Sequence, residues 1–195
     1  MHKDIQKYVA KCDTCQRNKS ENIMTPGILH PLHIPKQKWE ENSMDFIEGL
    51  PLSEGKDTIL VVVDQLIKYA HFMGIKKTDS TKQITEVFCK NIYKLHGFPK
   101  IIVNDRDAKF ISNFWKEFCK EIGITLNMSS AYHPQTDGQT EVVNKCLETY
   151  LRSFVTNKQN KWLQWLHFAE WWYNAMYHTS AKMSPFQALY SYEPP

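Results

Sequence analysis

The order of apolar and polar positions predicts five β-strands. Residues 58–63 form an uninterrupted, mostly β-branched run, which is typical of a strand buried on both faces. Apolar stretches at 44–50 and 69–75 predict a strand before it and a strand after it, and turn residues between the three indicate a meander. Shorter runs at 101–103 and 125–129 predict two more strands, the last at a sheet edge.

Apolar residues recur at helical spacing in four later segments. Gly97 should end the first of these helices, Ser112 should cap the second and Gly123 should end it. The sequence 136–139, Thr-Asp-Gly-Gln, fits a capping box for the third, and Ser184 can start a short terminal helix. The predicted buried faces are Ile84, Val87, Phe88, Ile92 and Leu95; Phe114, Trp115, Phe118, Cys119 and Ile122; Val143, Leu147, Tyr150, Leu151 and Phe154; and Trp162, Trp165, Phe168, Trp172 and Tyr173.

The N-terminal segment differs from the rest of the chain. Ile5, Tyr8 and Val9 are spaced for one helical face, whereas residues 16–38 are polar and proline-containing and predict a linker. The chain is therefore expected to divide into a short N-terminal piece, 1–38, and one larger domain, 39–195.

Composition narrows the class of protein. A chain of 195 residues with 42% hydrophobic content can bury one ordinary core. It has no apolar run near the roughly 20 residues that span a bilayer and no signal peptide, so a soluble intracellular protein is expected. Five cysteines argue against a disulfide framework. The net charge of +3 permits nucleic-acid binding without indicating it.

Three acids occupy positions that suggest chemistry. Asp45 lies inside an apolar strand, Asp105 follows the 101–103 strand, and Glu141 falls in the early turns of the third helix. Each acid taken alone is more simply a turn former or a helix cap. Together they offer hard oxygen ligands from separate elements, which suit two Mg²⁺ or Mn²⁺ ions about 3.5–4 Å apart in phosphoryl transfer.

Five segments carry a resemblance to a known family. They are SMDFIEGLP, TILVVVDQLIKYAHF, VNDRDAKF, AYHPQTDGQTEVVNKCLETYLR and YHTSAKMSPFQALY. In this order they resemble the integrase of gypsy-type LTR retrotransposons, over essentially the whole chain. The interval between Asp105 and Glu141 leaves 35 residues between them, which is the spacing of that family's DDE motif and selects Asp105 over Asp107.

The resemblance implies an α/β, RNase H-like fold with a mixed five-stranded sheet flanked by helices. It implies that Asp45 bridges two Mg²⁺ or Mn²⁺ ions, with Asp105 completing one site and Glu141 the other. The implied reaction is trimming of a DNA 3′ end followed by attack of its 3′-hydroxyl on target DNA. Such an enzyme would act on DNA in the nucleus as a homo-oligomer, and integrase cores dimerise through helices in the 162–177 region.

Four further residues are candidates for DNA contacts. Asn144 and Lys145 lie one helical turn after Glu141, where a DNA contact and a solvated helix face are equally good interpretations. His133 and Gln135 belong to a segment that resembles the family's mobile active-site loop. The alternative is that this segment only connects a strand to a helix.

Cys12 and Cys15 have the spacing of half a tetrahedral zinc site. His30 and His33 follow among prolines, without the usual spacing or a helix to present them, so they are not expected to complete it. In the family the histidine pair lies upstream of the cysteine pair. The resemblance therefore implies a truncated zinc module, and no stable zinc site is expected.

Two alternatives to an active integrase remain open. An RNase H-type nuclease would share the fold and the metals. An inactive or co-opted nucleic-acid-binding remnant would account for departures from the family pattern, which are Val142 in place of a basic residue and Asn42-Ser43 before Asp45.

Overall fold

A computed structural model describes residues 1–17, 34–104, 112–128, 138–155, 158–179 and 181–195. Its five strands form one mixed sheet of order β3-β2-β1-β4-β5. The strands β1 to β3 pair antiparallel, whereas β4 pairs parallel with β1 and β5 parallel with β4. The strands are β1 (Glu41–Ile47), β2 (Thr58–Asp64), β3 (Ala70–Ile75), β4 (Ile101–Asn104) and β5 (Thr125–Met128).

The first strand begins and ends three residues earlier than the apolar pattern predicts. Gly49, inside the predicted stretch 44–50, has a φ of +77°, which interrupts an extended backbone. The amide of Leu50 then donates to the carbonyl of Asp57 across the loop that leads to β2. Asp45 consequently lies near the C-terminal end of β1 and not at its start.

The helices flank the sheet and follow the predicted capping signals. Ser112 accepts from the Trp115 amide, and Ser184 accepts from the Gln187 amide, as expected of N-caps. The Thr136 part of the predicted capping box lies outside the described residues. The helices are α1 (His2–Lys11), α2 (Asp13–Arg17), α3 (Thr81–Phe88), α4 (Lys94–His96), α5 (Asn113–Glu121), α6 (Gly138–Phe154), α7 (Trp162–Ala175) and α8 (Pro185–Tyr190), with a π-helical turn at Cys89–Tyr93 and a 3₁₀ turn at Gln159–Lys161.

Two apolar cores lie on opposite faces of the sheet. Leu60 and Val62 of β2 pack in the core that α3 and α5 cover, while the alternate residues Ile59, Val61 and Val63 pack in the core that α6 and α7 cover. All five are fully buried. Because both faces of β2 are covered, its sequence is continuously apolar and does not alternate. In the described ranges, every helix is too short or too polar to cross a bilayer.

Three residues predicted to be buried are half-exposed or more. Leu95 is 61% exposed because the π-helical turn before it widens the helix and rotates later positions away from the face of α3. Phe154 is the last residue of α6 and stacks on Tyr150 and Trp165 without being covered. Phe168 lies on α7, whose apolar residues surround the helix, so the pattern could not select its buried face.

Side chains of α7 form hydrogen bonds with backbone groups of β3, the edge strand of the sheet. Oδ1 of Asn174 accepts from the Ala70 amide at 2.9 Å, and Nδ2 of the same side chain donates to the Ala70 carbonyl at 2.8 Å. Glu170, one helical turn earlier, accepts from the Phe72 amide at 2.8 Å. These bonds occupy backbone groups of β3 that would otherwise offer a template for pairing with another chain.

Candidate active site

Asp45 is held by hydrogen bonds to both of its carboxylate oxygens. It is partly buried on β1 and pairs with Val61, so its side chain faces the same layer as α6. Oδ1 accepts from the Phe46 amide at 2.7 Å, and Oδ2 accepts from Nδ2 of Asn144 at 2.6 Å. The carboxylate is thus oriented toward one face of α6.

Glu141 lies on α6, the helix that also carries Asn144, the hydrogen-bond partner of Asp45. Val143 and Leu147 are buried against the sheet and fix the rotation of α6, which leaves Glu141 and Lys145 exposed. Residues three apart on a helix share a face, so Glu141 lies one turn from Asn144 toward the start of α6. The structure therefore brings two of the three predicted acids to one region of the molecule.

The third acid, Asp105, lies outside the described residues. Asn104, the last residue of β4, is the parallel partner of Met44 in β1. Asp105 follows Asn104 in the sequence as Asp45 follows Met44. Within the described ranges, no three His, Cys, Asp or Glu side chains are grouped to hold a metal ion. Convergence of Asp45, Asp105 and Glu141 stays a prediction.

The described donors fit a hard divalent cation. Asp45 and Glu141 supply carboxylate oxygens, the ligand type that Mg²⁺ and Mn²⁺ prefer. The Asn144 amide fixes Oδ2 of Asp45, and an oxygen that accepts one hydrogen bond keeps a further lone pair for a metal.

Asn144 has a role that the sequence did not indicate. The sequence left a DNA contact and a solvated helix face as equally good interpretations of Asn144. Its amide donates to the Asp45 carboxylate, 99 residues earlier in the chain. No local pattern signals such a contact. The DNA contact predicted for Lys145 stays a prediction, and His133 and Gln135 lie outside the described residues.

Asn42 and Ser43, which depart from the family pattern just before Asp45, do not disrupt the pairing of β1. Asn42 and Ser43 are buried in β1 and keep their ladder partners in both β2 and β4. Among the described residues, the buried amide of the Asn42 side chain has no hydrogen-bond partner, which costs stability, but the pairing of the Asp45 strand is intact.

Cys12 and Cys15 lie close together at the junction of α1 and α2. The backbone amide of Cys15, and secondly its thiol, lower the pKa of Cys12, while the hydrogen bond to Cys12 raises the pKa of Cys15. Both are free thiols, and His30 and His33 lie outside the described residues. The expectation of no stable zinc site, like the division at residue 38, stays a prediction.

Known structures define the class of fold. The chain superposes on a chain from a simian T-cell lymphotropic virus intasome, solved with the PP2A regulatory subunit B56 gamma, with a TM-score of 0.68 and 19% identity, covering 100% of this chain and 69% of that one. It superposes on the HTLV-2 integrase catalytic core domain in complex with magnesium, in a trimeric form, with a TM-score of 0.61 and 18% identity over 76% of this chain and 94% of that one. The protein has the RNase H-like fold of retroviral integrase cores, as predicted.

Sequence comparison then identifies the family. The integrase core domain model matches residues 33–134, just over half of the chain. The chain belongs to the integrase core domain family. It is 37% identical over 194 residues to the Tf2-3 and Tf2-4 transposon polyproteins of Schizosaccharomyces pombe, which confirms the resemblance to retrotransposon integrases. It spans 15% of the length of these curated relatives.

Proposed function

We propose that this chain is the catalytic core of a retrotransposon integrase that trims a DNA 3′ end and joins it to target DNA. The observation that supports this best is the Asp45 carboxylate, held by Asn144 one helical turn from Glu141. Membership of the integrase core domain family supports it independently.

Asp45, Asp105 and Glu141 would hold two Mg²⁺ or Mn²⁺ ions in this proposal. When bound, such ions lower the pKa of an attacking hydroxyl and stabilise charge on the leaving oxygen. Asp45 lies on β1, which pairs with the strand that precedes Asp105, and it is bonded to the helix that carries Glu141, so it would hold metal together with both acids. The protein supplies orientation, and no covalent enzyme intermediate is required.

Asn144 would position Asp45. Replacing Asn144 with Ala removes the donor to Oδ2, and hydrogen bonds to charged groups are worth about 1.5–3 kcal/mol. We expect DNA joining by Asn144→Ala to be roughly 10- to 100-fold slower, with half-maximal activity at a higher Mg²⁺ concentration. Rates measured across a Mg²⁺ titration test this.

Asn91→Ala is the matched control for that measurement. The Asn91 amide donates to the Val87 carbonyl within its own helix, so its loss should leave rate and Mg²⁺ requirement unchanged. An Asn144→Ala protein with wild-type rate and Mg²⁺ requirement would contradict a positioning role.

DNA and further copies of the chain are the proposed partners. The solved HTLV-2 cores are described in dimeric and trimeric forms, and the simian virus protein as an intasome. Large apolar side chains remain exposed on and after α7 here, including Phe168, Trp171 and Tyr177. Such a surface suits association between copies. Action on chromosomal DNA implies a nuclear location.

A branched DNA that mimics the joined product provides the direct test. The chain should resolve it in Mg²⁺ or Mn²⁺ and not in EDTA, because resolution reverses the joining step. An RNA–DNA hybrid is the parallel substrate: cleavage of the hybrid alone would favour an RNase H-type nuclease. A folded protein that binds DNA without metal-dependent chemistry would support the inactive or co-opted alternative.

A further inference from the structure

Three side chains form a hydrogen-bonded row around the open edge of the sheet. Oε1 of Glu170 in α7 lies 3.0 Å from Nδ1 of His71 in β3. Nε2 of His71 lies 3.0 Å from Nε2 of His96, the last residue of α4. We call Glu170, His71 and His96 the edge clasp.

The edge clasp connects the two helical layers. His71 lies on the same face of β3 as Met73. Met73 packs in the core beneath α3 and α5, as does Tyr69, the residue just before the strand. Glu170 reaches it from α7, on the other side of the sheet, and its second oxygen accepts from the Phe72 amide. The clasp therefore joins α7 to α4 across the one strand that ends the sheet on this side.

The clasp is largely shielded from water. His71 is 8% exposed, and the His96 ring stacks on the Trp39 indole with centroids 3.8 Å apart and an interplanar angle of 6°. Any proton added to the two imidazoles must therefore find its hydrogen-bond partner within the clasp and not in water.

Hydrogen-bond chemistry limits the clasp to one added proton. With both imidazoles neutral, Nδ1–H of His71 donates to Glu170, and its bare Nε2 accepts from Nε2–H of His96. One added proton on Nε2 of His71 reverses the bond between the two histidines. Nε2–H of His71 then donates to Nε2 of His96, and the proton of His96 lies on its Nδ1. A second added proton would place an N–H on both facing Nε2 atoms, with no acceptor between two cations.

We infer that the edge clasp is a proton-operated switch, which stays closed with no added proton or one and opens when a second enters the histidine pair. Opening separates α4 from β3, while the protonated His71 keeps its charge-assisted bond to Glu170 of α7. The inference does not depend on the proposed chemistry, because none of the three acids assigned to the metals takes part.

The groups around the two histidines determine whether a fall in pH opens or closes the clasp. Burial, and secondly the proximity of His71, lower the pKa of His96 to about 4. Tyr69, just before β3, and Tyr190 on α8 face each other beside His71, and Asp64 on β2 accepts from the Trp39 amide. Glu170 is the acid that contacts the pair directly. Stacking on Trp39 adds a cation–π attraction for protonated His96, which opposes burial without removing it.

The sign of the pH dependence follows. The second added proton enters His96, whose pKa is near 6.5 once exposed and lower in the closed clasp, so that second proton favours opening. The closed state is fully favoured above about pH 6.5 and is progressively lost as the pH falls toward 4. Partial exposure of His96 reduces the effect, which we expect to be on the order of 10- to 100-fold in the opening equilibrium at pH 5.

Native-state hydrogen exchange tests the switch. Between pH 7.5 and 5.0, protection of the Gly97 amide, which donates to the Tyr93 carbonyl at the end of α4, should fall by that 10- to 100-fold after correction for intrinsic exchange. Protection of the Val61 amide in β2, which is paired on both sides, reports global opening and should fall less. In His96→Gln, whose amide donates or accepts at any pH, protection at Gly97 should change less than threefold.

His167→Gln is the matched control, because His167 is an exposed histidine on α7 outside the row. It should keep the wild-type pH dependence. Ring-nitrogen NMR shifts of the unmodified protein provide a second test: His71 should carry its proton on Nδ1 at pH 7.5. A His71 protonated on Nε2 alone, or an equal loss of Gly97 protection in His96→Gln, would overturn the inference.

Discussion

Asp45→Asn should abolish metal-dependent DNA cleavage and joining while the protein stays folded. A neutral amide oxygen is a weaker Mg²⁺ ligand than a carboxylate and no longer offsets the repulsion between two cations. We expect the rate on branched DNA to fall at least on the order of a thousandfold, which corresponds to about 4 kcal/mol of barrier. Single-turnover rates in Mg²⁺ and in Mn²⁺ measure the effect.

The substitution should have little effect on stability. Asn offers one acceptor oxygen where Asp45 uses two, so one of the bonds from Phe46 and Asn144 weakens. In the proposed site, loss of repulsion from Asp105 and Glu141 offsets this, and we expect a melting temperature within a few degrees of wild type. A large decrease would mean that the activity assay reports unfolding.

Asp79→Asn is the control for this experiment. Asp79 accepts from the Lys76 amide in the turn before α3, and Asn can make the same bond. Its activity should equal that of the wild type. Wild-type activity in Asp45→Asn would contradict the proposed function, whereas loss of activity in both variants would indicate a non-specific effect.

Asn174→Ala should produce the largest loss of stability among single polar substitutions in α7. Asn174 is 1% exposed and satisfies both the amide and the carbonyl of Ala70. Removal leaves two buried backbone groups unpaired, at about 1–3 kcal/mol each. We expect a loss of about 3 kcal/mol in the free energy of unfolding and a melting temperature roughly 6–12 °C lower.

Chemical denaturation of two further variants makes this prediction specific. Asn174→Asp can still accept from the Ala70 amide but places a carboxylate against the Ala70 carbonyl, so at neutral pH it should lose at least as much stability. Asn160→Ala, in the exposed 3₁₀ turn, should stay within about 0.5 kcal/mol of wild type. An Asn174→Ala protein as stable as Asn160→Ala would show that α7 does not depend on the sheet edge.

Local patterns were sufficient to predict most elements of the fold. The apolar run in β2, the caps at Ser112 and Ser184 and the reversal at Gly123 depend on neighbouring residues, so short-range chemistry determines them. The sequence also placed Asp45 on a strand and Glu141 on a helix, as observed. Those signals failed for Leu95, where a π-helical turn changed the helical period, and for Phe168, where the whole helix surface is apolar.

The sequence by itself therefore determined the order of strands and helices, their caps, the family resemblance and the acids proposed to bind metal. Only the tertiary structure placed Asn144 on Asp45, Asn174 on the edge strand, and Glu170 with His71 and His96 in one row. The physical reason is chain separation. Helical and strand periods fix which residues share a face of one element, but contacts between residues about 100 positions apart depend on how the layers pack against each other.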